Sequence, residues 1–141
     1  MIYKVYDYLS EDAMDIRKIV FMEEQGFQNE FDDLDEKAIH FVVYTMEKQP
    51  IATCRVIEDK DGAFILGRLA VLSDFRGKNI GVGLLREVEK TVLKRGGKSI
   101  RLHAQCRVKD FYNKVGYLEH GLEDDDEGCP HIWMSKTLLS E

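Results

Sequence analysis

Several scarcities bound this chain before any motif does. It carries only two prolines, and no proline- or serine-rich stretch, repeat or low-complexity tract interrupts it. Nothing therefore divides it, and the reading is a single domain over residues 1–141. Its three cysteines (Cys54, Cys106 and Cys129) cannot all pair within one chain, which excludes a disulfide framework as the source of stability. No apolar run approaches the roughly 18 residues needed to cross a bilayer. No cationic stretch followed by an apolar block opens the chain, so the expectations are no membrane partner and a cytoplasmic location. Positive charge is also in deficit, with 20 Lys and Arg against 26 Asp and Glu and a formal net charge of −6. That disfavours non-specific nucleic-acid binding, which rests on neutralising phosphates.

What remains is enough for a core: 44% of the residues are hydrophobic. Alternation predicts a first strand at Tyr3, Lys4, Val5 and Tyr6. A helix from about Asp12 follows, with Ser10 available near its start and Ala13, Ile16, Ile19 and Val20 on one face. Residues 26–36 are acidic and aperiodic and read as a loop with one helical turn. Two strands follow, over 41–44 and 51–57, and the Asp61-Gly62 pair signals a hairpin into a third strand over 64–71. An amphipathic helix places Leu84, Leu85, Val88 and Val92 inward, and Gly96-Gly97 are expected to end it in left-handed geometry. A strand over 100–103 comes next. A short helix then sets Val108, Phe111, Tyr112 and Val115 at i, i+3, i+4 and i+7. Two last strands lie near Tyr117-Leu118 and at 131–134, joined by a solvated loop over 123–128. The central strand–helix–strand unit must cross over right-handed and make a parallel pair. The class is α/β, with a mixed sheet and helices on both faces.

The most informative run is Arg76-Gly77-Lys78-Asn79-Ile80-Gly81-Val82-Gly83-Leu84-Leu85, directly after the apolar Leu69-Ala70-Val71-Leu72. It reads as a strand end, a basic glycine-rich turn and a helix whose first turn is nearly bare. Orphan amides and the positive end of the helix dipole suit a pyrophosphate. A Walker loop is excluded because leucines, not Lys-Ser/Thr, follow Gly83. A dinucleotide fingerprint is excluded because Arg86 stands where the third glycine belongs.

Here the chain resembles the GNAT superfamily of N-acetyltransferases. The signature Arg/Gln-x-x-Gly-x-Gly/Ala is met by Arg76 to Gly81 except at Asn79, where glycine is usual; Asn tolerates positive φ, so the turn can survive. A second motif, Phe-Tyr-x-x-x-Gly-Phe/Tyr, is present from Phe111 to Tyr117. Within the superfamily the chain is similar to the small bacterial branch represented by the ElaA and YjcF proteins. Arg17, Phe21, Glu24, Gln25, the Asp35…His40 spacing, Ala104-Gln105 and Pro130-His131-Ile132 carry that likeness.

The resemblance implies a GNAT-like acyl-CoA N-acyltransferase fold, mostly antiparallel, with a central pair of splayed parallel strands. It implies acetyl-CoA in the gap, CoA as product, and a small primary amine as acceptor attacking directly in a ternary complex. Leu69, Ala70 and Val71 would flank the pantetheine arm. Arg76, Gly77, Lys78, Asn79, Ile80, Gly81, Val82 and Gly83 would meet the pyrophosphate, and Gln105, Phe111 and Tyr112 would complete the cofactor set. Tyr112 occupies the family's acid position, although its spacing alone would make it core. Glu24 or His131 would be the base; Glu24 also reads as a solvated helix end. His40 and His103 read as satisfied core or rim histidines. An acyl-cysteine route through Cys106 lacks an activating histidine, and Cys129 with His120 and His131 matches no zinc spacing, so no metal is expected. Asp32, Asp33 and Asp35 read as surface charges or as a lure for a cationic acceptor. A C-terminal edge strand is available for pairing into a homodimer. The alternative reading is a CoA-binding sensor or interaction module without turnover.

Overall fold

The computed structural model describes residues 1–28 and 31–138, so positions 29 and 30 of the acidic loop lie outside the described residues. Seven strands, β1 (Ile2–Tyr6), β2 (Ile39–Tyr44), β3 (Pro50–Glu58), β4 (Ala63–Val71), β5 (Ser99–Gln105), β6 (Leu118–Asp126) and β7 (Cys129–Thr137), form one sheet in the order β1-β2-β3-β4-β5-β7-β6. β4 and β5 run parallel, and the other neighbours in that order are antiparallel. Three α-helices join them: α1 (Glu11–Arg17), α2 (Ile80–Lys94) and α3 (Lys109–Lys114).

Strand alternation decides which helix covers which face. Phe41 and Val43 join the cluster that holds Leu84, Leu85, Val88 and Val92 of α2 and Tyr112 of α3. Val42 and Tyr44 join the cluster that holds Ala13 and Ile16 of α1. Helices therefore sit on both faces, as the pattern requires.

The Ser10 hydroxyl accepts a hydrogen bond from the Ala13 amide at 3.2 Å and caps α1. From Lys18 to Glu24 the helix widens into π turns. Ile19, expected inward, is 39% exposed, while Arg17 is 1% exposed. Helical arithmetic explains the exchange, because Arg17 falls between the buried Ala13 and Phe21 on the wheel and Ile19 falls at the rim.

A buried arginine demands counterions, and the acidic loop supplies them. Arg17 donates to both Asp35 carboxylate oxygens, at 2.8 and 3.2 Å. Arg55 of β3 donates to Asp35 at 2.8 Å and to Asp32 at 2.6 Å. Asp32 and Asp35 are thus pinned against the α1 face of the sheet. Asp32 and Asp35 are structural counterions, which corrects their reading as solvated charges or a cationic lure. His40, as expected, is a satisfied core histidine that donates to the Asp35 carbonyl at 2.9 Å.

Two further expectations change. Gly96 is left-handed at φ 82°, but Gly97 is not; a Cβ on Gly97 would run into Val92 and Phe64, so it is bare for packing. The acidic stretch expected to be a loop is strand as far as Asp126, and the turn is confined to Glu127 and Gly128, both at positive φ.

Burial opposes ionisation of Asp35, yet the hydrogen bonds from Arg17 and Arg55 outweigh it and hold the carboxyl at about 2 against an ordinary 3.8. A depressed folded value means stability that is present above pH 3.8 and lost as pH falls toward about 2. Asp35→Ala is expected to cost about 3–5 kcal/mol in urea unfolding at neutral pH, because it removes the carboxylate that two buried guanidinium groups share. The variant should also lose less stability than the native protein across that acid interval. Equal acid responses would show that the Asp35 charge contributes nothing.

Candidate active site

The parallel pair is short. β4 and β5 pair from Ala63↔Ser99 to Leu66↔Leu102 and then part. At the parting point Arg68 adopts left-handed φ of 57°, and the β3–β4 register shifts between Thr53 and Arg55. That is a β-bulge, and it bends β4 away from β5. Residues 67–71 keep β3 on one side, but their β5-facing amides and carbonyls have no strand partner. Unsatisfied main-chain groups along a cleft wall invite a ligand that can pair with them.

The cleft at this fork encloses about 660 Å³. Of the residues expected to bind or act, Leu69, Ala70, Val71, Arg76, Gly77, Gly81, Gln105, Phe111, Tyr112, Glu24 and His131 line it. Lys78, Asn79, Ile80, Val82 and Gly83 are not on its walls. Ile80 is a core residue at 5% exposure. Lys78 extends over the Phe75 ring, with its ammonium 5.5 Å from the centroid.

The glycine turn is built as its sequence requires. Gly77 and Asn79 take positive φ, at 76° and 62°. Gly83 is the first amide to close a helical bond, donating to the Asn79 carbonyl at 3.1 Å. The six amides from Gly77 to Val82 have no partner among the described residues, and form a nest of donors at the positive end of a 15-residue helix. Gly83 is bare for a different reason, since a Cβ there would collide with the Tyr3 hydroxyl. A Cβ on Gly81 would come within 3.0 Å of the Phe111 ring, so α2 and α3 approach closely at the cleft.

Arg76 spans three elements. Its Nε donates to the Val71 carbonyl at 2.8 Å, and its terminal nitrogens meet both Glu24 oxygens at 3.0 Å. The Glu24 carboxylate is thereby committed to a guanidinium. The end of the π-helical segment, the glycine turn and β4 are tied together at one corner of the cleft.

Tyr112 and His131 approach from opposite faces of the sheet. Tyr112 is 7% exposed in the α2-side core. Its hydroxyl has no hydrogen-bond partner among the described residues, and burial pushes the phenol far above its ordinary range, so it stays protonated. His131 is 6% exposed and pairs across the ladder with Gln105, on the face opposite Ile132 and Met134. Its Nδ1 bonds the Cys129 carbonyl at 2.8 Å. A carbonyl only accepts, so Nδ1 carries the hydrogen and the lone pair of the neutral ring lies on Nε2.

Cys106 is not an activated nucleophile. A hydrogen bond with Glu123, aided by burial, raises its thiol to about 11, whereas a reactive cysteine needs the thiolate. No cluster of metal-ligating side chains occurs among the described residues.

Some cleft residues escaped the sequence. Arg68 reaches the wall only because of the bulge, which no local pattern marks. Gln25 accepts from the Gln105 amide at 2.8 Å across the cleft, and Glu127 accepts from the Gln28 amide at 3.2 Å. Both contacts are long-range. Among the described residues no helix is long and apolar enough to cross a membrane.

Comparison with known proteins agrees with this geometry. Residues 7–138 match the acetyltransferase (GNAT) domain family. The chain is 35% identical over 129 residues to the uncharacterized N-acetyltransferase YjcF of Bacillus subtilis, covering 89% of this chain and 91% of that one. The crystal structure of Escherichia coli ElaA superposes with a TM-score of 0.85 at 21% identity, over 96% of this chain and 99% of ElaA. An aminoglycoside 6′-N-acetyltransferase complexed with coenzyme A superposes at 0.80 with 20% identity, over 100% and 99% of the two chains. A parted parallel pair, a nest of free amides and a match over nearly the whole chain agree: the protein belongs to the GNAT acetyltransferases, enzymes that take their acetyl group from acetyl-CoA.

Proposed function

We propose that this acetyltransferase acts on the primary amine of a small molecule, and that the amine attacks directly while both substrates are bound. One observation carries the reading: a single cleft between parted strands is lined by a protonated phenol from one face and by an imidazole with a free lone pair from the other. Acetyl-CoA, when bound, supplies the thioester carbonyl. The residues present fit it. The amides of Gly77 to Val82 form an anion nest, and the unpaired edge of residues 67–71 offers donors and acceptors for amide groups. Because Arg76 already bonds the Val71 carbonyl, Leu69 and the Val71 amide remain for that pairing.

An attacking amine must be neutral, so its proton has to leave. His131 is the better base of the two foreseen, because both oxygens of Glu24 are held by Arg76. Tyr112 keeps its proton at any working pH and can give it to a departing thiolate. Glu24 then serves to orient Arg76 and the turn.

A panel of lysine, spermidine, tyramine and kanamycin A, offered with acetyl-CoA, should include an amine that stimulates release of free thiol. Coenzyme A binding at micromolar affinity with no stimulation by any primary amine would favour a CoA-binding module without turnover. Tyr112→Phe is expected to lower kcat about 10–100-fold with coenzyme A affinity little changed; an unaltered rate removes it as the acid. His131→Gln should lower kcat by about 100-fold, and Glu24→Gln by less than about threefold. The reverse ranking would make Glu24 the base.

A further inference from the structure

On the α1-side face of the sheet, next to His131 but outside the roles assigned so far, lies an unusual aromatic and acidic group. His103 of β5 pairs across the ladder with Trp133, and its neighbour Gln105 pairs with His131. The His103 ring lies between the two, 4.9 Å from the Trp133 ring at an interplanar angle of 23° and 4.7 Å from the His131 ring at 32°. On its edge, Nε2 meets the Asp124 carboxylate at 2.6 Å. A carboxylate accepts, so Nε2 carries the hydrogen.

The backbone goes to some trouble to put Asp124 there. β6 pairs with β7 as His120↔Trp133 and then, after a break, as Asp124↔His131. Unbroken antiparallel pairing would set Leu122 opposite His131 and carry Asp124 past it. Two additional residues are accommodated at the break, where Gly121 is left-handed at φ 71° and Leu122 is 91% exposed. Such bulges re-aim side chains beside functional sites. Here a bulge replaces a leucine with a carboxylate next to a two-histidine stack.

We infer that Asp124 and His103 are positioning residues for His131: the carboxylate fixes the His103 ring, and that ring, backed by Trp133, holds the plane of His131 on one side. The Nδ1–H bond to the Cys129 carbonyl restrains one edge of the His131 ring but leaves rotation about that bond open. A stacked neighbour closes it. Fixing the plane fixes the direction of the Nε2 lone pair, and a misdirection of about 1 Å can cost on the order of 100-fold in rate. No proton passes along the stack, because rings in face contact share no hydrogen bond.

This inference rests on His131 being the base, and the test separates the two. His103→Ala and Asp124→Ala are made in the native protein and in His131→Gln, and rates are measured with acetyl-CoA and the fastest amine of the panel. The expected result is a kcat loss of about 10-fold for each in the native background, with KM for acetyl-CoA and the melting temperature little changed. Asp124→Asn, which keeps an acceptor for His103, should restore the rate to within about threefold. In His131→Gln the same changes should have no further effect. Independently, the side-chain nitrogen signals of His131 in histidine-labelled protein should broaden or shift in His103→Ala. If His131→Gln keeps the native rate, the base assignment falls and this one with it. If His131→Gln is crippled while His103→Ala and Asp124→Ala are silent in rate and in the His131 signals, the positioning role alone is overturned. Losses that persist undiminished in His131→Gln would show a structural role instead and overturn it equally.

Discussion

The structure depends on the point at which two parallel strands stop pairing. Up to Leu66 and Leu102 the ladder is ordinary. Two residues later a bulge at Arg68 turns β4 aside, and the main-chain groups beyond it on that edge lose their strand partner, the Val71 carbonyl accepting from Arg76 instead. Buried main-chain polar groups without partners are costly, so the fork is held open by its surroundings. α1 and its π-helical extension press on one face, and α2 and α3 on the other. The cleft is the space this enforced separation leaves.

The clamp on the α1 side is electrostatic rather than apolar. Arg17, Asp35, Arg55 and Asp32 form a connected set of charge-assisted hydrogen bonds between helix, loop and sheet. Buried ion pairs contribute little net stability against a well-packed apolar core. They are directional, however, and a loop tied by them is held in place where an apolar loop could slide. That loop leads from the end of the π-helical segment, where Glu24 and Gln25 meet the cleft. Arg76 repeats the device at the opposite corner, linking Glu24 to β4. The cleft is thus framed by two arginine ties, and the two residues proposed as its acid and base come from elements on opposite faces.

Much of this was readable from residue order. The alternation of short apolar runs, the Asp61-Gly62 hairpin and the periodic segment after Gly83 yielded the correct order of elements. Asn79 was expected to accept a left-handed conformation, and it does. Other features were legible only in part. Gly83 and Gly97 look like anion-loop and cap glycines, but each is bare because a distant side chain, Tyr3 or Phe64, occupies the space a Cβ would need. The run of carboxylates at 123–127 looks like a solvated turn, yet most of it is paired strand. Composition reports solvation, and an edge strand is solvated too.

By itself the sequence determined the elements, their order and the donor-rich turn, because these follow from local periodicity, glycine conformations and orphan helix amides. Tertiary structure alone decided which charges are buried, where β4 leaves β5, and that Glu24 is occupied while the His131 lone pair is free. Each of those outcomes depends on partners tens of residues away, such as Arg17 with Asp35 or Arg76 with Glu24. Hydrogen bonds and ion pairs act only over a few ångströms, so distance along the chain conceals them until folding brings the partners together.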